Sequence, residues 1–233
     1  MKDFSNKYIM TFSVVMVVSV AILLSLTALL LQPRQEKNVE VEKKMNILSS
    51  INVVSSKTDA VSLYDKYIRD SYVVNTDGKH IEGVDPFAVS LRAEHKKPLP
   101  EQYLPVFIAV NDDSDTLQIF PLEGKGLWGP IWGYVSLKSD MSTIAGVTFD
   151  HKGETPGLGA EINTTEFESQ FLDKTLFSNG SFVSIKVVKG GVRPGSLTEV
   201  DGISGGTITS KGLEAMVYEG ISKYEKYLSQ NRK

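Results

Sequence analysis

Three glycine-rich segments hold the residue types that could do chemistry. Residues 201–210, DGISGGTITS, run straight into a stretch with Leu213, Met216, Val217, Ile221, Tyr224 and Leu228 at helical spacing. Glycines ahead of a helix expose backbone N–H groups, and a helix N-terminus favours an anion, so this segment suits a phosphate. It reads equally as a plain lead-in loop, with Thr209 or Ser210 capping the helix. Thr207 offers a hydroxyl with no base beside it, a poor nucleophile on its own but a target for another enzyme. Residues 151–159, HKGETPGLG, contain Pro156-Gly157, the pair that suits a type II turn, with Glu154 and Thr155 as acceptor and hydroxyl next to it. Residues 124–129, GKGLWG, match G-x-G-x-x-G. A dinucleotide fingerprint must open a helix, whereas Pro130 and the strand-like IWGYVSL follow here. Trp128 is either a flat surface for a flat ligand or a core tryptophan at a strand-entry turn.

Other clusters read as scaffold. Asp112, Asp113 and Asp115 lack the EF-hand spacing and its glycine, and read as a solvated hairpin tip. His80, His95 and His151 lie in unrelated contexts, so no metal ligand set is expected. Residues 163–165 and 179–181 are glycosylation sequons by pattern alone. The chain has no cysteine, which excludes disulfides, cysteine-ligated iron–sulfur clusters, haem attachment through C-x-x-C-H and a lipoprotein cysteine. A redox centre here must be held by something other than sulfur. A formal charge of -3 over 233 residues argues against a nucleic-acid partner.

The elements that must position these segments follow from the hydropathy pattern. The mean hydropathy of -0.09 conceals an uncharged stretch over residues 8–31. Its length as a helix, about 36 Å, crosses a bilayer core of about 30 Å with some tilt. It exceeds the apolar core of a cleaved signal peptide and is followed by Gln32-Pro33-Arg34, so an uncleaved anchor is expected. Lys2 and Lys7 before the span against Arg34 and Lys37 after it barely discriminate its orientation. Val41, Met45, Leu48 and Ile51 continue at helical spacing, and Asp59 is expected to cap a further helix over 60–72. Residues 73–74 and 80–83 about an Asp77-Gly78 turn, and 104–110, 116–122, 131–137, 142–149 and 182–189, read as strands. Residues 104–110 and 116–122 form a hairpin about NDDSD, and 161–174 and 210–228 read as helices. Strands in runs with helices at the edges indicate α+β: an N-terminal transmembrane helix, then a mainly antiparallel-sheet domain with flanking helices.

In their order behind one anchor, GKGLWGPIWGYVSL (124–137), HKGETPGLGAEI (151–162) and DGISGGTITS (201–210) resemble the C subunit of the sodium-translocating NADH:quinone reductases. The resemblance covers nearly the whole chain. It implies an FMN-binding domain whose FMN is covalent, joined by a phosphoester to the last Thr of the motif Asp-Gly-x-Ser-Gly-Ala-Thr, which aligns with Thr207. A separate flavin transferase makes that bond from FAD. Thr209 falls at the wrong motif position, and Gly206 stands where the family usually has Ala. The resemblance makes Trp128, Glu154, Thr155, Leu158 and Gly159 flavin neighbours, with Asp201, Gly202, Ser204 and Gly205 shaping the attachment loop. No catalytic base and no metal is implied. The implied role is an electron relay among the other subunits of a membrane redox complex in the bacterial inner membrane. NADH oxidation, ubiquinone reduction and sodium transport belong to that whole complex. The implied layout is a cytoplasmic tail (1–7), transmembrane helix (8–31), helical linker (32–57) and periplasmic FMN-binding domain (58–233). Two alternatives stand beside it. One is the related G subunit of a ferredoxin–NAD oxidoreductase complex, and the other is a flavin-free membrane-anchored interaction module.

Overall fold

The computed structural model describes residues 5–232; residues 1–4 of the expected tail and residue 233 lie outside the described residues. The chain divides into two compact units, Met1–Lys43 and Lys44–Lys233. The described part of the first unit is almost entirely helix, within α1 (Asn6–Ser49), which is long and apolar enough to cross a membrane. Pro33 lies inside α1 without ending it. Thr11 and Thr27 turn their hydroxyls back onto the carbonyls of Lys7 and Leu23, each at 2.8 Å, which satisfies a polar group in an apolar helix.

The second unit is built on one antiparallel sheet. After α2 (Ala60–Tyr67) come β1 (Ile68–Val74), β2 (His80–Ile81), α3 (Leu91–Glu94), β3 (Leu104–Val110), β4 (Thr116–Lys125), β5 (Pro130–Leu137) and β6 (Ile144–His151). Their order in the sheet is β2-β1-β3-β4-β5-β6. Then follow α4 (Thr165–Ser169), the small pair β7 (Phe177–Ser178) and β8 (Ser181–Phe182), and the parallel pair β9 (Lys186–Val188) and β10 (Glu199–Asp201). The chain closes with α5 (Thr207–Ser222) and α6 (Glu225–Asn231).

The sheet is a middle layer because both of its faces are apolar. Val106, Phe120, Leu122, Val135 and Val147 cluster with Leu213, Met216, Val217 and Ile221 of α5 and Tyr227 and Leu228 of α6. The alternate residues Phe107, Ala109, Leu117, Ile119 and Tyr134 cluster with Ile47, Leu48, Ile51 and Tyr67 on the other side. Glycine decides how closely α5 lies on β4. A Cβ on Gly212 would stand 2.2 Å from the Lys125 carbonyl oxygen, and one on Gly124 would stand 2.6 Å from Met216 Cβ.

The α+β class and the hairpin over 104–122 are as the sequence indicates; five local expectations are not. The helix expected over 60–72 stops at Tyr67, because residues 68–74 pair with β3, and sheet pairing outweighs a helical pattern. Asp59 does not cap it with its side chain; its carboxylate accepts the Ser56 N–H at 2.6 Å. The strand expected over 182–189 breaks at Ser184, whose φ of 59° turns the chain between β8 and β9. The helix expected over 161–174 shortens to a 3-10 turn and α4, with Asp173 at φ 59°. Finally, the C-terminal helix begins at Thr207 and is interrupted before α6, so neither Thr209 nor Ser210 is its cap.

Glu168 of α4 accepts the Phe149 N–H of edge strand β6 at 2.7 Å. Burial pushes its carboxyl up to about 7, helped by nearby Asp150 and opposed by the Phe149 and Thr148 hydrogen bonds. The folded state therefore binds this proton more tightly than the unfolded chain, whose glutamate titrates near the usual 4.5. This contribution to stability is fully present below that value and is lost as the pH rises through about 7. Thermal melts from pH 4.5 to 8 should show Glu168→Gln flattening that part of the pH dependence, since the amide oxygen still accepts from Phe149. An unchanged slope would mean that Glu168 is not the titrating group.

Candidate functional site

The three glycine-rich segments meet at the N-terminus of α5. In the β4–β5 hairpin, the Gly126 N–H donates to the Gly129 carbonyl at 2.8 Å, which sets Leu127 and Trp128 at the tip. Trp128 is 70% exposed, so it is not a core tryptophan. Following β6, the Leu158 N–H donates to the Thr155 carbonyl at 3.1 Å, with Pro156 and Gly157 between them. Gly157 has φ +74°, the conformation that the third position of a type II turn needs. The loop from β10 to α5 turns at Ser204-Gly205, closed by the Gly206 N–H on the Ile203 carbonyl at 3.0 Å. Gly205 has φ +75°, and a Cβ there would stand 2.5 Å from Leu158 Cδ2, so the leucine lies against the glycine.

A carboxylate ties these loops together beneath the surface. Glu154 is 4% exposed. Its Oε1 accepts the Trp128 backbone N–H at 2.9 Å, and its Oε2 accepts the Thr209 hydroxyl at 2.6 Å. The Glu154 N–H donates to His151 Nδ1 at 3.2 Å, which gives His151 a structural use. The carboxylate fits between two glycines. A Cβ on Gly126 would stand 2.5 Å from Oε1, and one on Gly159 would stand 2.6 Å from Oε2 and 2.4 Å from Thr209 Oγ1.

The first turn of α5 separates its two threonines. Gly206 is the N-cap and supplies no side chain, and the Ser210 N–H donates to the Gly206 carbonyl at 2.9 Å. The N–H groups of residues 207–209 precede that bond and have no acceptor within the helix. At about 100° per residue, Thr207 and Thr209 point about 200° apart. Thr209 is turned inward onto Glu154 and is 1% exposed, while Thr207 is exposed. Gly206 also packs closely: a Cβ there would stand 3.0 Å from Ile203 Cγ2 and 3.3 Å from the Gly159 nitrogen.

The ten residues singled out by sequence fall into three groups. Thr207, Trp128, Thr155, Leu158, Ser204 and Gly205 are on the exposed side of the cluster, and Glu154 and Gly159 are buried under it. Asp201 and Gly202 stand at the foot of the loop: the Asp201 N–H donates to Gln170 Oε1 and the Gly202 N–H to the Val188 carbonyl, both at 2.7 Å. Sequence reading gave Thr209 only as a helix cap or a residue at the wrong motif position and Gly126 only as part of GKGLWG, and it did not single out Gln170 or Gly212. Their roles depend on chain segments far away in sequence.

The sheet and this loop cluster define an FMN-binding type of domain, and the family model described as the FMN-binding domain matches residues 126–222. The chain also superimposes on the crystal structure of the C subunit of the Na(+)-translocating NADH-quinone reductase from Parabacteroides distasonis. The TM-score is 0.79 at 44% identity, over 85% of this chain and 96% of that one. For NqrC of Shewanella oneidensis the TM-score is 0.71 at 27% identity, over 82% and 97%. The C subunit of the Vibrio vulnificus reductase is 42% identical over 109 residues, 47% of this chain and 43% of that protein. The C subunit of the Pseudomonas aeruginosa reductase is 34% identical over 138 residues, 57% and 53%. The chain thus belongs to the family of Na(+)-translocating NADH-quinone reductase C subunits, and it aligns with about half the length of these curated relatives.

The space between the two site glycines is measurable. Gly159→Ala forces a Cβ onto two hydrogen-bonded oxygens and should cost about 1–3 kcal/mol in urea denaturation. A change within about 0.5 kcal/mol would show that the loops separate freely.

Proposed function

We propose that this protein is an electron-transfer subunit of a sodium-translocating NADH:ubiquinone reductase, carrying FMN on a phosphoester to Thr207. The observation that supports it best is the contrast within TIT. The Thr207 hydroxyl is exposed at an uncapped helix N-terminus where the three motif loops converge, and the neighbouring Thr209 hydroxyl is buried and engaged.

The residues fit the group. A phosphoryl group on Thr207 would lie beside the N–H groups of the first turn of α5, at the positive end of the helix dipole. The exposed Trp128 and Leu158 offer apolar surface for a ring, and Thr155 offers a hydroxyl for a polar edge. Asp201, Gly202, Ser204 and Gly205 shape the attachment loop, and Glu154 and Gly159 support it from below. Bound there, FMN would supply one-electron carriage without a sulfur ligand, and the protein would position and tune it. In the attachment, the Thr207 oxygen bonds the flavin-side phosphorus of FAD and the pyrophosphate P–O bond breaks. AMP leaves, the hydroxyl proton passes to the flavin transferase or solvent, and no electron is transferred.

The apolar part of α1 would anchor the protein in the bacterial inner membrane, with the tail (1–7) cytoplasmic and the domain (58–233) periplasmic, joined by the linker (32–57). Its partners would be the other subunits of the complex and, during maturation, the flavin transferase.

The test is mass spectrometry of the chain coproduced with a flavin transferase. The peptide carrying Thr207 should gain the mass of FMN less one water. Thr207→Ala should abolish in-gel flavin fluorescence while changing stability by no more than about 0.5 kcal/mol, as expected of an exposed residue. An unmodified wild-type peptide, or an adduct on Thr209, would overturn the reading.

A further inference from the structure

The Thr209 hydroxyl takes no part in the proposed attachment chemistry, yet it is buried and bonded to Glu154. We infer that Thr209 is a positioning residue: acting through the Glu154 carboxylate, its hydroxyl fixes the Trp128 hairpin relative to Thr207. The link is short and continuous. Thr207 and Thr209 share one helical turn, so the backbone of α5 sets the place of one from the other. The Thr209 hydroxyl donates to Glu154 Oε2 at 2.6 Å, and Glu154 Oε1 accepts the Trp128 N–H at 2.9 Å. Both middle members are buried, Thr209 at 1% and Glu154 at 4% exposed, so water does not compete with these bonds.

Three further features point to registration of the loops. The Trp128 side chain is 70% exposed, so core packing does not hold it, and the hairpin is held through its backbone. The Glu154 main chain is itself fixed by His151 Nδ1 at 3.2 Å. Gly126 and Gly159 close on the carboxylate from two sides, leaving no room for a Cβ on either. The carboxylate is thereby confined to an arrangement in which it bridges helix and hairpin. Two of the three motif loops and the helix bearing Thr207 take their spacing from one hydroxyl–carboxylate–amide chain.

The link is a property of the fold, and its consequence for a flavin rests on the reading that FMN is carried by Thr207. Two sets of measurements on the full chain in detergent keep these apart. In the flavin-free chain, amide exchange at Trp128 is compared for wild type, Thr209→Val and Thr209→Ser. Valine keeps the shape and removes the donor, and serine keeps the donor. Trp128 exchange should rise at least about tenfold in the valine variant, the effect of losing a charge-assisted bond, and return to near wild type in the serine variant. Should the valine variant not fold, wild type carries the test alone. Trp128 and Ser210 amides should then lose protection together as denaturant is added, as one opening unit.

In the flavinylated chain, with Trp132→Phe as background, flavin should quench Trp128 emission in wild type and the serine variant. In the valine variant the quenching should change and the midpoint potential shift, with the adduct still on Thr207. Unchanged Trp128 exchange and quenching in Thr209→Val, or independent opening of Trp128 and Ser210, would overturn the inference. An unmodified wild-type chain would instead overturn the flavin reading, while the exchange measurements still decide the link.

Discussion

A carboxylate taken out of water must be given donors, or its burial costs several kcal/mol, and the arrangement of Glu154 follows from that constraint. Its two oxygens accept from a hairpin amide and a helix hydroxyl that lie far from it in sequence. Satisfying one side chain therefore requires the β4–β5 hairpin, the turn after β6 and the first turn of α5 to be in place together. The glycines at 126 and 159 are the steric counterpart of this requirement, because a Cβ on either would stand within 2.6 Å of a carboxylate oxygen. The cluster is thus specified by polar satisfaction and by the absence of side chains, more than by apolar packing.

The sheet makes that convergence available. Apolar residues alternate on both faces of β3 and β4, so helices cover both sides, and α5 is pressed onto β4 closely enough for Gly212 to meet the Lys125 carbonyl. This contact brings the start of α5 to the end of β4, where the hairpin carrying Trp128 begins. The parallel pair β9 and β10 and the Gln170 side chain deliver the chain to the same place from the other direction. The arrangement leaves Thr207 on the surface of a rigid element and puts no basic or acidic side chain in an N-cap role there.

Legibility in the sequence followed the physics of each element. Residues 104–110 are read to the residue because a strand with both faces buried is an uninterrupted apolar run between turn signals. The end of α2 and the break at Ser184 were not legible. Ile68–Val74 is a strand only because β3 lies beside it, and Ser184 adopts a left-handed conformation that its residue type does not announce. Within the site, Pro156-Gly157 declared its turn through backbone chemistry. The N-terminus of α5 was misplaced by three residues at Ser210, because threonine and serine are strong caps in general, and here both are spent inward: Thr209 on Glu154, Ser210 on the Ile203 N–H.

By itself, the sequence determined the apolar span, the α+β class, the order of the three motif segments and membership of a family, because these depend on local residue types and their spacing. Only the tertiary structure decided which hydroxyl of TIT faces solvent, that Trp128 is outside the core, and that Glu154 is the joint between loops. Those are questions of which distant donor meets which acceptor. No local pattern answers them, since each depends on chain segments brought together by the burial of the sheet.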